Sequence, residues 1–217
     1  MPMGLTLLAG MVCAKHDVKN YVEARAMVNT GQVGFVIGAF VILSTLTLNV
    51  NATLINTTTT GLEMEAMLDA LSVGQTMLDE VLTKEFDERT LNGVRAFSYT
   101  DITPSFFFGP DGSTERILEN GGVDTSSTGN FLSKKRFDDV DDYNNYHRRV
   151  WNPRFGWFDV RVDIEYLDED YPEMMTSWRT FYKGIAVTIT HPNLVKDLDQ
   201  NVIPLVLRDM SVYRRYF

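Results

Sequence analysis

The sequence contains one cysteine, Cys13, which excludes an internal disulfide framework and any cysteine-rich zinc site. Its three histidines, His16, His147 and His191, are too few and too scattered for a histidine metal cluster. Basic charge is scarce as well. Against 29 acidic residues stand 20 lysines and arginines, a net charge of −9, so the basic stripe of a nucleic-acid-binding surface is missing and no nucleic-acid partner is expected. No P-loop, no G-x-G-x-x-G fingerprint and no G-x-S-x-G elbow occurs. Catalytic residues are therefore not expected. With 44% hydrophobic and 23% charged residues, the composition is that of a folded chain.

The most informative absence is local. Between Arg25 and Glu63 no residue is charged, a run of 37 positions. Within it, Val33–Val50 is apolar apart from Ser44, Thr45, Thr47 and Asn49. Crossing about 30 Å of hydrocarbon takes roughly 20 mostly apolar residues in a helix. The run meets that length, and a buried core helix would carry a polar stripe. A transmembrane helix is expected over 31–56. Residues 1–30 read as a leader or as an N-terminal extension, with Met27 as an alternative start, and they carry a net charge of +1. That leaves −10 for residues 63–217. Basic residues ahead of a span favour the cytoplasmic side, so the acidic bulk is expected to be exported. The chain then reads as a single-pass inner-membrane protein or a component of a cell-surface filament.

Residues 57–217 read as the exported domain. Thr60-Gly61-Leu62-Glu63 has capping-box spacing. Met64, Met67, Leu68, Leu71, Gly74, Leu78, Val81 and Leu82 follow at helical intervals, opposite Glu65, Asp69, Gln75, Asp79 and Glu80. An amphipathic helix is expected over 62–86, entered directly or after a kink. Turn signals punctuate 87–136, where an irregular loop is expected. The region 137–217 reads as β-rich. Phe158, Val160, Val162, Ile164 and Tyr166 alternate with Asp159, Arg161, Asp163 and Glu165, the period of a half-buried strand. Residues 178–190 form a second strand, with Phe181, Lys183, Ile185, Val187 and Ile189 on one side, and Lys183 there suggests an edge or a frayed start. Residues 202–207 and 210–217 make a last strand or pair. The expected class is α+β, a long N-terminal helix packed on a C-terminal antiparallel sheet.

Two features carry possible sites. Asp138, Asp139, Asp141 and Asp142 lie within five positions, a density of hard oxygen ligands that suits calcium, although the EF-hand spacing is absent. The other reading is a turn in which aspartates cap backbone amides while Phe137 and Tyr143 anchor it. In the apolar run, Gly34 and Gly38 form a G-x-x-x-G pair, which lets helix backbones approach closely.

An apolar helix running into an amphipathic one, then an irregular loop and a terminal sheet, resembles the type IV pilins and pseudopilins. Phe137-Asp-Asp-Val-Asp-Asp-Tyr143, Phe158-Asp-Val-Arg-Val162 and Tyr182-Lys-Gly-Ile-Ala-Val-Thr-Ile-Thr190 are similar to minor pilins of the mannose-sensitive haemagglutinin type. The resemblance implies a structural subunit that partners other pilin-like subunits through its N-terminal helix and sits in the lipid bilayer. It places leader cleavage between Gly34 and Phe35. Ala39 stands where the family carries a glutamate that pairs with a neighbour's terminal amine, which points to a minor or tip subunit, or an uncleaved relative. The alternative is a non-polymerising, membrane-anchored exported binding module, calcium-dependent if the aspartates hold the ion.

Overall fold

The computed structural model describes the backbone of residues 5–214 and the side chains of residues 30–214. The assignment of 1–30 as leader or extension lies outside the described side chains. Two compact units divide the chain, Met1–Thr59 and Thr60–Phe217.

The first unit is helical, part of α1, Leu5–Leu82. The stretch Thr30–Leu82 is long and apolar enough to cross a membrane, and its most apolar window has a mean hydropathy of 2.1 with none of it buried. The threonines that would weaken a water-exposed helix are accommodated by back-bonding. The hydroxyls of Thr45, Thr47, Thr53, Thr57, Thr58 and Thr59 donate to carbonyls three or four residues earlier at 2.8–2.9 Å. The backbone stays helical through Thr60, so the expected capping box at Thr60–Glu63 is not formed: an N-cap requires a helix start, and none exists there.

In the second unit α1 ends at Leu82, four residues short of the expected 86. The expected loop 87–136 contains short 3₁₀ turns, strand β1 (Val123–Ser126) and the four-residue helix α2 (Ser133–Arg136). Then come β2 (Tyr146–Asn152), β3 (Gly156–Leu167), β4 (Met175–Thr176), β5 (Tyr182–Thr190) and β6 (Leu205–Val212). The sheet order is β1-β2-β3-β5-β6, with β4 paired to the end of β3. The sheet is mixed where an antiparallel one was expected. β1 runs parallel to β2, with Val123 opposite His147 and Ser126 opposite Val150, and the other pairs are antiparallel. Of the expected last strand or pair the structure has one strand, β6.

Period-two alternation in β3 and β5 decides which face is covered. Phe158, Val160, Val162, Ile164 and Tyr166 are buried, as are Phe181, Lys183, Ile185, Val187 and Ile189. Against this face α1 lays Ala66, Ala70, Gly74, Met77, Leu78 and Val81. The contact stripe keeps Gly74, Leu78 and Val81 of the expected one, adds Ala66, Ala70 and Met77, and leaves Met64, Met67, Leu68 and Leu82 exposed. At Gly74 an added Cβ would lie 2.5 Å from Leu207 Cδ1 and 2.8 Å from Ile189 Cδ1.

Candidate functional site

The polar chemistry of the second unit is concentrated in two buried clusters beneath the sheet, each joining the end of α1 to residues far along the chain. The first is built on Glu80. Set between the core residues Met77 and Val81 on the helix, its Oε1 accepts from Arg148 of β2 at 2.5 Å, from Ser133 Oγ of α2 at 2.8 Å and from Tyr143 Oη at 3.0 Å. Arg148 also donates to Tyr146 Oη and Ser133 Oγ, and its guanidinium lies 4.0 Å from the Phe131 ring centroid. Tyr146 in turn donates to Asp124 of β1 at 2.8 Å, and the Ser133 amide donates to the same carboxylate. Burial pulls the Glu80 carboxyl upward. Its hydrogen bond and charge contact with Arg148, with help from Ser133 and Tyr143, outweigh that and hold it below the usual range. Burial pushes the Tyr143 and Tyr146 hydroxyls upward, so both remain neutral donors. The second carboxylate oxygen of Glu80 is buried without a partner among the described residues.

The second cluster is built on Lys183. It points inward from β5, a strand flanked on both sides, and its side chain is 0% exposed. The expected edge or frayed start is thereby corrected. Lysine parity matches the apolar face because the ammonium has buried partners. Nζ donates to Asp141 Oδ1 at 2.7 Å, to Asp87 Oδ2 at 3.0 Å and to the Phe86 carbonyl at 2.7 Å. The rings of Phe86, Phe108 and Tyr166 complete the wall, with centroids 4.6, 4.9 and 5.8 Å from Nζ. Asp87 also accepts from the Thr103 amide and hydroxyl and from the Arg89 amide. No sequence signal linked Lys183 to Asp87, which lies 96 residues away in a segment without periodicity.

The aspartate run connects to this second cluster. Asp142 Oδ2 accepts from the amides of Asp138 and Asp139, and Asp139 Oδ1 accepts from the amide of Asp142. The Phe137 and Tyr143 rings meet edge to face at 4.9 Å. These are the contacts of a capped, aromatic-anchored turn. Asp141 faces Lys183 instead of its neighbours' amides. The four carboxylates do not converge, and among the described residues no group of three or more His, Cys, Asp or Glu side chains is arranged to hold a metal ion. Burial, then the neighbouring Asp141, drives the Asp139 carboxyl strongly upward. Burial pushes Asp142 up to about 7. The turn is fastened to the helix end, since Val140 N donates to Glu85 O at 2.9 Å and Lys84 Nζ to Phe137 O at 2.6 Å.

His147 and Arg149 share Asp159 Oδ1 on the outer sheet face, at 3.0 and 2.8 Å. His191 stacks on Phe158 with ring centroids 4.3 Å apart and bonds the Phe155 carbonyl, so it serves packing. In the first unit, Gly34 and Gly38 have open space where a Cβ would stand, and Phe35 is exposed. No protein-family model, curated protein or solved structure matches this chain.

Proposed function

We propose that the chain is a membrane-anchored structural subunit, a minor pilin or pseudopilin of a type IV pilus or a type II secretion-like filament. The observation that carries this reading is the division of labour along α1. The segment from Val33 to Ile55 is uncharged and exposes Val33, Phe35, Ile37, Phe40, Leu43 and Leu46, whereas from Ala66 to Val81 the helix is half-buried against its own sheet. Apolar side chains bare along more than five turns need lipid or other helices around them. The G-x-x-x-G pair at Gly34 and Gly38 offers a surface for close helix contact.

The test is crosslinking from a cysteine placed at Ser44 in cells. The wild-type helix is expected to crosslink to itself or to partner subunits, and Gly38→Leu to lose those products while the chain stays folded. Absence of any crosslinked product in the wild type would remove the subunit reading. It would leave an anchored module that never polymerises, a reading favoured by the exposed Trp151 and Trp157, whose rings meet at 5.1 Å across β2 and β3.

A further inference from the structure

The Lys183 cluster has the composition of a reaction site. A primary amine is fully buried within hydrogen-bond distance of a carboxyl group, an aromatic wall excludes water, and a second and a third carboxyl flank the pair. We propose that Lys183 and Asp141 condense in the folded protein to an amide joining Nζ to Cγ, an intramolecular crosslink between the aspartate turn and β5.

The chemistry balances within the cluster. Asp87, whose Oδ2 lies 3.0 Å from Nζ, takes a proton from the ammonium and leaves a neutral amine. The amine lone pair attacks Cγ of Asp141, forming the N–C bond and a tetrahedral carbon. Asp139, two positions from Asp141 in the same buried turn and held protonated there, supplies a proton to the departing oxygen as the C–O bond breaks. The nitrogen gives up a second proton, which restores Asp139, and Asp87 passes its own to the departing hydroxide, which leaves as water. Two protons from the ammonium and one oxygen from Asp141 leave as water, and nothing is oxidised or reduced.

Three observations favour this over a permanent ion pair. Burial makes charged groups expensive, and the amide product carries no charge. The upward drive on Asp139 keeps that group an acid, which the step requires. Reacting groups held in fixed contact reach effective concentrations of about 10⁵–10⁸ M, which compensates for a slow amide-forming step. Asp141 is the electrophile and Asp87 is not. The oxygens of Asp87 are occupied by the Thr103 amide and hydroxyl and the Arg89 amide, while Oδ1 of Asp141 faces the amine at 2.7 Å.

The test is mass spectrometry on the full chain purified from membranes and then denatured. The wild type is expected to be lighter than its Lys183→Arg variant by one water beyond the substitution itself. Proteolysis should yield a branched peptide with Lys183 linked to Asp141, which also separates this event from dehydration elsewhere. Asp139→Ala retains both partners and is expected to lose the branched peptide and recover the water. A folded wild type, verified by circular dichroism, that carries the full uncondensed mass and gives no branched peptide would overturn the proposal. The wild-type measurement decides the matter even where a variant fails to fold.

Discussion

Glu80 of α1 and Arg148 of β2, 68 residues apart, meet at 2.5 Å with side chains 7% and 3% exposed. A pair so placed is an obligation more than a gain. Desolvating two charges cancels much of their attraction, but removing one partner strands the other. Arg148→Ala is expected to destabilise the second unit by about 3–5 kcal/mol. The double variant Glu80→Leu with Arg148→Met should recover most of that loss. Chemical unfolding of the detergent-solubilised chain, followed by near-UV circular dichroism, measures both. Additive losses in the double variant would contradict the pairing.

Two carboxyls pull stability in opposite directions with pH. Glu80 sits below its ordinary 4.5, so its contribution is complete above that value and is lost as pH falls through the lower folded value. Asp142 is raised from 3.8 to about 7, so the fold favours its proton, and that contribution is lost as pH rises through about 7. The melting temperature should therefore fall between pH 5 and pH 8. Asp142→Asn keeps an acceptor oxygen for the amides of Asp138 and Asp139 and removes the charge. It is expected to flatten this decline, gaining ~2–3 kcal/mol more at pH 8 than at pH 5. An unchanged slope in the variant would show that Asp142 does not govern it.

Gly74 tests the packing of helix on sheet. Alanine there would meet the flexible ends of Leu207 and Ile189, and its helix propensity, about 1 kcal/mol better than glycine, offsets part of the displacement. Gly74→Ala is expected to lie within about 1 kcal/mol of wild type, and Gly74→Leu to lose ~2–3 kcal/mol through overpacking. Equal melting temperatures for wild type and Gly74→Leu would mean that the helix does not sit this close.

The apolar segment is tested by charge. Wild-type chain should remain in the membrane pellet after alkaline extraction. Ile42→Arg with Leu46→Arg adds about 6 kcal/mol to insertion on the translocon scale and should move much of the chain to the supernatant. Release of wild type by alkali alone would count against a spanning helix.

The strands were legible because period two and burial coincide in β3 and β5, down to the parity of Lys183. What Lys183 does there was not, since its partners Asp87 and Asp141 come from a turn and a loop that carry no pattern. The helix was legible in extent, whereas its contact face was read from the largest apolar residues. The sheet takes Gly74, Leu78 and Val81 from that expected stripe, but also Ala66 and Ala70, whose small size hydrophobic periodicity undervalues. β1 escaped because Val-Asp-Thr-Ser has neither alternation nor apolar length, and its parallel pairing depends on a neighbour more than 20 residues away. The aspartate run showed its density in sequence, but only geometry separates amides capped at 3.0 Å from a cation cage.

Both buried clusters also impose an order in time. Glu80 and Asp87 leave the ribosome 68 and 96 residues before Arg148 and Lys183. At about 5–20 residues per second, each carboxylate waits roughly 3–19 s for its counter-charge. During that interval the end of α1 has no sheet to cover it and no cation to justify its burial. The helix must stay hydrated or be held by another protein until β2 and β5 arrive, and the domain can close only once those strands have been made.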